Sequence, residues 1–176
     1  MTHNTPIKRH EAIVSFSKDH HFGLLLVWKI RQGLQNAISP ERIGNYVLHV
    51  FQEDLSKHFQ EEEELLFVRL PENDVLRIKA EDDHAGICRI IAGIDENRQD
   101  VALLTQLAND LENHIRFEER ELFNHLQAAL TVDALESIAR RFPNNSKGID
   151  EGWTDLFWEI NHRGNGHSDK TAVPYG

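Results

Sequence analysis

Residues 58–67 read HFQEEEELLF, and residues 114–123 read HIRFEERELF. Each segment opens on a histidine, sets a glutamate four positions later and closes on a Leu/Phe pair. His58/Glu62 and His114/Glu118 therefore repeat one pattern. Positions i and i+4 share a helix face. At about 100° per residue, one stripe collects Val47, Phe51, Leu55, His58, Glu62 and Leu65, and the other Leu104, Leu107, Leu111, His114, Glu118 and Leu122. Both histidines and both glutamates lie in line with apolar residues that face a core.

Around these segments apolar residues recur at helical spacing almost throughout, and strand-like alternation is nearly absent, so the fold class is all-α. Helices are expected over about 7–37, 40–70, 73–97 and 100–130, with Ser39 and Pro40 supplying the N-cap and first position of the second. Thr131 is placed to cap a short fifth helix that stops before Pro143. Four long helices with short connections predict an antiparallel up-down-up-down four-helix bundle. Its domain spans 1–142, with a core over about 8–130, and 143–176 forms a short C-terminal helical extension packing on the bundle. Within that extension GWTDLFWEIN reads as a short amphipathic segment docking through Trp153, Phe157 and Trp158, followed by a mobile tail.

Composition narrows the function. The 176 residues carry a formal charge of −10 with acids spread along the chain, which offers no basic footprint for nucleic acid or an anionic membrane. The longest apolar run, LLLVW at 24–28, is far too short to span a bilayer. One cysteine, Cys88, permits no internal disulfide, and MTHNTPIKRHEAIV lacks the apolar core of a signal peptide, so a cytoplasmic location is expected. Gly-rich phosphate loops, nucleophile elbows, His-Glu-x-x-His helices and Cys-x-x-Cys pairs are absent from the sequence, leaving no support for hydrolase or kinase chemistry.

The bundle also reads as a duplicated helical hairpin. Asp19-His20 resembles Asp83-His84, just as His58/Glu62 resembles His114/Glu118. His84 shares its face with Ala80, Ile87, Ile91 and Ile94 and points inward. In the first helix His20 lies with Ile13, Phe16, Val27, Ile30 and Leu34, whereas His21 falls nearer the side carrying Lys18, Lys29 and Gln32. Against that, His21-Phe-Gly-Leu aligns with His84-Ala-Gly-Ile, so both His20 and His21 are candidates.

Buried histidines are common, but buried glutamates need a positive partner, because an unpaired buried charge costs several kcal/mol. The inward stripes supply up to four imidazoles and no Lys or Arg at that level. A shared cation would satisfy the whole set. Four histidines and two glutamates exceed what one tetrahedral zinc needs, and suit two ions about 3.5–4 Å apart with bridging carboxylates. Iron or manganese is the usual occupant of such bundle cores, with zinc as a further alternative.

This pattern of His20/His21, His58-x-x-x-Glu62, His84 and His114-x-x-x-Glu118 resembles the hemerythrin-like, or HHE cation-binding, family over roughly residues 10–130. The resemblance implies two iron ions, bridged by oxo or hydroxo groups and carboxylates, that meet dioxygen or a related small oxidant. The oxygen-carrying hemerythrins have a second third-helix histidine where this chain has Cys88, and a late aspartate where it has Glu119 after Glu118, which argues against reversible oxygen transport. Cys88 is read as a small core residue; Glu61, Glu63 and Glu119 as a solvated acidic face; and His3, His10, His49, His125, His162 and His167 as surface or packing residues.

The leading functional expectation is a di-iron binding protein that reacts with or senses O2, peroxide or nitric oxide, closer to a redox or sensor protein than to a classical enzyme. An oxidase or peroxidase using the same site is the second expectation. A regulatory bundle, whose docking surface after Pro143 follows metal or redox state, is the third.

Overall fold

The computed structural model describes residues 8–141 and 148–159, and every regular element among them is helical. The expected mobile tail and His3, His162 and His167 lie outside the described residues. Helix α1 spans Glu11–Gln35. The second expected helix is one rod in three parts: α2 (Pro40–Val50), a π-helical turn (Phe51–Leu55) and α3 (Ser56–Leu65), with a 3-10 turn (Phe67–Arg69) beyond. Helix α4 spans Val75–Glu96. The next rod is α5 (Val101–Phe117), a second π-helical turn (Glu118–Leu122) and α6 (Phe123–Ala129), and α7 follows (Val132–Arg141).

The helix starts are set by local chemistry. Asp74 accepts hydrogen bonds from the Leu76 and Arg77 amides at 2.9 and 3.1 Å, and Asp100 accepts one from Leu103 at 3.0 Å. Thr131 caps α7 as expected, accepting from the Ala134 amide at 3.2 Å. Pro40 takes the first turn of α2, but Ser39 makes no side-chain cap. The two π-helical turns were not predicted, since neither segment contains Gly or Pro. Turns of this kind recur at functional sites, and these two lie on the rods that carry the His-x-x-x-Glu motifs.

Apolar residues form two buried clusters. One gathers Leu26, Ile30, Tyr46, Leu55, Phe59, Ile87, Leu111 and Ile115; the other gathers Phe16, Leu65, Phe67, Ala80, Phe117, Leu122 and Ile138. Along each of the four rods one motif residue falls between these clusters: His20 between Phe16 and Leu26, Glu62 between Phe59 and Leu65, His84 between Ala80 and Ile87, and Glu118 between Ile115 and Leu122. A polar layer thus lies between two apolar ones.

Residues 148–159 form turns instead of an amphipathic helix. They pack on the first cluster through buried Ile149 and Phe157 and half-buried Trp153 and Trp158. Lys29, expected to point outward, is instead buried: its ammonium donates to Asp150 Oδ1 at 2.5 Å and to Tyr46 Oη at 2.8 Å. It also lies 3.8 Å from the Trp158 ring centroid. Periodicity missed this because the groups covering Lys29 come from a segment far along the chain. Among the described residues no helix is long and apolar enough to cross a membrane.

Candidate metal centre

Six side chains from four rods meet in the polar layer. His20 Nε2 lies 2.9 Å from Glu118 Oε2 and 3.3 Å from Glu62 Oε1. Glu62 also has His58 Nε2 at 3.2 Å and His84 Nε2 at 3.3 Å, while His114 Nε2 stands 3.3 Å from Glu118 Oε2. Every imidazole therefore aims Nε2 inward at a carboxylate. Two subsets bring their donor atoms within 4.8 Å of one another: His20/His58/Glu62 and Glu62/His84/His114/Glu118, with Glu62 common to both.

The outward ring nitrogens also face carboxylates. His20 Nδ1 meets Glu119 at 2.8 Å, His84 Nδ1 meets Glu63 at 2.8 Å, His114 Nδ1 meets Asp83 at 3.4 Å, and His58 Nδ1 stands 3.8 Å from Asp19. The pairs follow the duplication: each aspartate preceding a histidine serves the next His-x-x-x-Glu rod, and each glutamate following a motif glutamate serves a histidine of the other hairpin. Aromatic rings repeat it, with Phe123 stacked on His20 at 5.2 Å and the equivalent Phe67 against His84 at 5.4 Å. An outer carboxylate on Nδ1 holds the proton there and leaves the Nε2 lone pair facing in, the arrangement that metal-bound histidines use.

Burial alone would push these rings toward neutrality and these acids toward protonation. For His58 and His84 burial is the largest influence and lowers the pKa, yet the carboxylates around them, Glu62 chief among them, raise both to about 9. His20 is likewise raised, its burial outweighed by Glu118, Glu119 and Glu62. Burial would raise Glu62, but His58, His20 and His84 hold it well below the usual carboxylate range. Glu119 is brought down to about 2, its burial overcome by His20 and Arg9.

Positive charge is therefore demanded at the centre, and imidazolium does not satisfy the geometry. Buried Glu62 Oε2, both oxygens of Glu118, and Nε2 of His84 and His114 have no hydrogen-bond partner. Their close approaches miss the directions a hydrogen bond requires, so the lone pairs converge on common points. A divalent cation accepts from all of them at once, and the His/carboxylate donor set fits such an ion.

The structure places His20 in this cluster at 3% exposure and leaves neighbouring His21 exposed on the outside. His58, Glu62, His84, His114 and Glu118 join His20 as expected from their stripes. Cys88 is exposed and not in the core: four residues advance a helix about 400°, which carries it some 40° round from His84 to an uncovered side. Glu61 faces Lys57 at 3.5 Å, whereas Glu63 and Glu119, expected on a solvated face, turn to the histidines. Asp19 and Asp83 were visible in the sequence only as part of the repeat; their role is legible once the rods are packed. His10 caps α1, His125 pairs with Asp74 at 2.7 Å, and His49 packs against Trp153.

A cavity of about 540 Å³ reaches one end of the cluster, touching His20, His58 and His114. Its walls come from α1, the end of α2, the first π-helical turn, α3, α5 and residues 148–152.

Described residues whose regular elements are all helical, with a buried His/carboxylate layer and unsatisfied inward lone pairs, define a helical cation-binding protein. Residues 12–126 match the Hemerythrin HHE cation binding domain, and the chain belongs to that family. Neither a curated protein nor a solved structure matches it.

Proposed function

We propose that this protein is a di-iron protein whose centre reacts with or senses a small oxidant: O2, peroxide or nitric oxide. The observation that carries the reading is the convergence of buried, unsatisfied Glu62, Glu118, His84 and His114 lone pairs on an interior with no Lys or Arg among its described donors. His20 and His58 would hold one ion, His84 and His114 the other, with Glu62 and Glu118 shared. Manganese or zinc would be held by the same donors. Two iron ions in that layer would supply two electrons to one small molecule.

The chain's own residues prepare the place. Glu63, Asp83 and Glu119 keep protons on the outer ring nitrogens of His84, His114 and His20, and the two apolar clusters flank the layer above and below. The rods are read as an antiparallel up-down-up-down four-helix bundle: α1 and α4 pass from the Phe16/Ala80 cluster to the Leu26/Ile87 cluster, and the two His-x-x-x-Glu rods return.

A second reading, an oxidase or peroxidase at the same site, is favoured by the cavity that reaches His20 and His58. Repeated turnover with peroxide or a co-substrate separates it from a single-turnover sensor.

Metal content per chain, measured by plasma mass spectrometry on untagged protein from iron-supplemented medium, tests the centre. The expected result is about two irons in the wild type, and loss of stoichiometric iron in His58→Ala and Glu118→Ala with helicity retained. Full iron retention in both variants would overturn the assignment.

A further inference from the structure

The cavity at the His20/His58 end is larger than a diatomic molecule needs. We propose that it binds a compact organic molecule with an apolar body, uncharged or cationic, lying against His20 and His58. This deepens the reading above and rests on it, since the bound molecule would sit beside the histidines taken to hold one metal ion.

Size is the first argument. About 540 Å³ is roughly 18 waters' worth at about 30 Å³ each, and it falls within the range of about 300–1,000 Å³ typical of small-molecule sites. Wall chemistry is the second. Phe22, Leu26, Val50, Leu55, Leu111 and Ile115 give it an apolar stretch of wall, along which water finds few of the polar partners it needs. An apolar group is the better occupant of that stretch.

The inner end is the third argument. Of the four rings in the cluster, His58 is the least buried, with its side chain 11% exposed against 4% for His20, 3% for His84 and 1% for His114. Its Nδ1 is also the one outer ring nitrogen of the four without a hydrogen bond, being buried with Asp19 as far away as 3.8 Å. His58 is thus the most exposed of the three rings that border the cavity, His20 and His114 being the others, while His84 is not part of the cavity wall.

Charge sets the class. The lining includes the carboxylates Asp19, Glu53, Asp54, Glu61 and Glu151 and a single ammonium, Lys57, which lies 3.5 Å from Glu61. An anionic ligand would enter against that field, whereas a neutral or cationic one would not. The outer wall is a fixed surface: buried Ile149 presents to the cavity, and the next residue, Asp150, is tied to Lys29 and Tyr46.

Three probes with one ring system test this: indole, tryptamine and indole-3-acetate, titrated by calorimetry into metal-free and iron-loaded full-length protein. Ring resonances of His58 are followed by NMR in the metal-free form. The expected result is saturable binding of indole and tryptamine at one per chain, at least tenfold weaker binding of indole-3-acetate, and a shift of the His58 resonances. Ile149→Trp and Leu26→Phe, which fill the cavity from two different segments of its wall, should each weaken indole at least tenfold while circular dichroism and iron content stay at wild-type values. Absence of saturable binding overturns the proposal, as does binding that survives both substitutions or leaves His58 unmoved. Equal binding of indole-3-acetate overturns the assigned class. Normal probe binding in a protein that takes up no iron refutes the di-iron reading and supports the cavity alone.

Discussion

Removing an outer carboxylate should weaken metal binding in proportion to how well that carboxylate holds its ring. Losing such a partner costs about 10–100-fold in metal affinity, or about 1.4–2.8 kcal/mol. The structure ranks the four. Glu63 meets His84 Nδ1 at 2.8 Å, a full charge-assisted hydrogen bond; Asp83 meets His114 at 3.4 Å; Asp19 stands 3.8 Å from His58, beyond hydrogen-bond range. Glu119 matches Glu63 in distance but is also ion-paired with Arg9, so its removal confounds two effects. Glu63→Ala should therefore fall near the top of that range, about 50–100-fold, Asp83→Ala near about tenfold, and Asp19→Ala below both. Glu63→Gln keeps an acceptor oxygen for the ring N–H and should recover much of the loss. Competition between the protein and a chelator for ferrous iron under anaerobic conditions reads the affinities directly. Thermal melts of the metal-free proteins supply the control: the Glu63 side chain is 46% exposed, so the substitution should cost within about 1 kcal/mol without metal. If Glu63→Ala weakened iron no more than Asp19→Ala, the outer carboxylates would not be positioning the rings.

Other consequences follow from packing. The Lys29–Asp150 pair should respond unequally to its two deletions, because the Lys29 side chain is 2% exposed and that of Asp150 39%. Asp150→Ala strands a buried ammonium and should cost about 3 kcal/mol or more, while Lys29→Met leaves a carboxylate that can reach water and should cost about 1 kcal/mol or less; equal losses in chemical denaturation would refute this. Gly44→Ala sets a gain of about 1 kcal/mol in helix propensity against a clash, since its Cβ would stand 2.7 Å from the Arg98 carbonyl oxygen and 3.1 Å from the Arg98 Cα. Backbone yields poorly and overpacking costs about 1–3 kcal/mol, so a lowered melting temperature is expected and a raised one would count against the close approach.

Much of the fold is written in local signals. Thr131 announces its helix because capping is a contact between near neighbours in sequence, and Asp74 and Asp100, not singled out as caps, act the same way. The six clustered residues were legible for a related reason: a charged group on an apolar stripe is anomalous whatever surrounds it. What was not legible depends on distant partners. Lys29 lies on a face that periodicity makes polar, and only Asp150 and Trp158, brought back over it, turn that face into interior. His20 and His21 were equal candidates until the packing of α1 buried one and exposed the other. The outer carboxylates read as solvated acids for the same reason, since each serves a ring on another rod.

The duplication explains the symmetry of the cluster, and departures from it explain why one end is open. His58 corresponds to His114, so two equivalent hairpins would carry their π-helical turns at equivalent positions. They do not: the first, Phe51–Leu55, precedes its histidine, and the second, Glu118–Leu122, begins at its motif glutamate. The earlier turn gives Glu53, Asp54 and Leu55 to the cavity wall, and residues 148–152, which have no counterpart in the repeat, complete that wall on the same side. At the other half, Phe59 stacks on His84 with ring centroids 3.9 Å apart, and Phe67 covers it at 5.4 Å. Two metal positions with matching donors would then differ in access: the cavity meets both histidines of the first, His20 and His58, but only His114 of the second, whose other ring, His84, lies under Phe59 and Phe67.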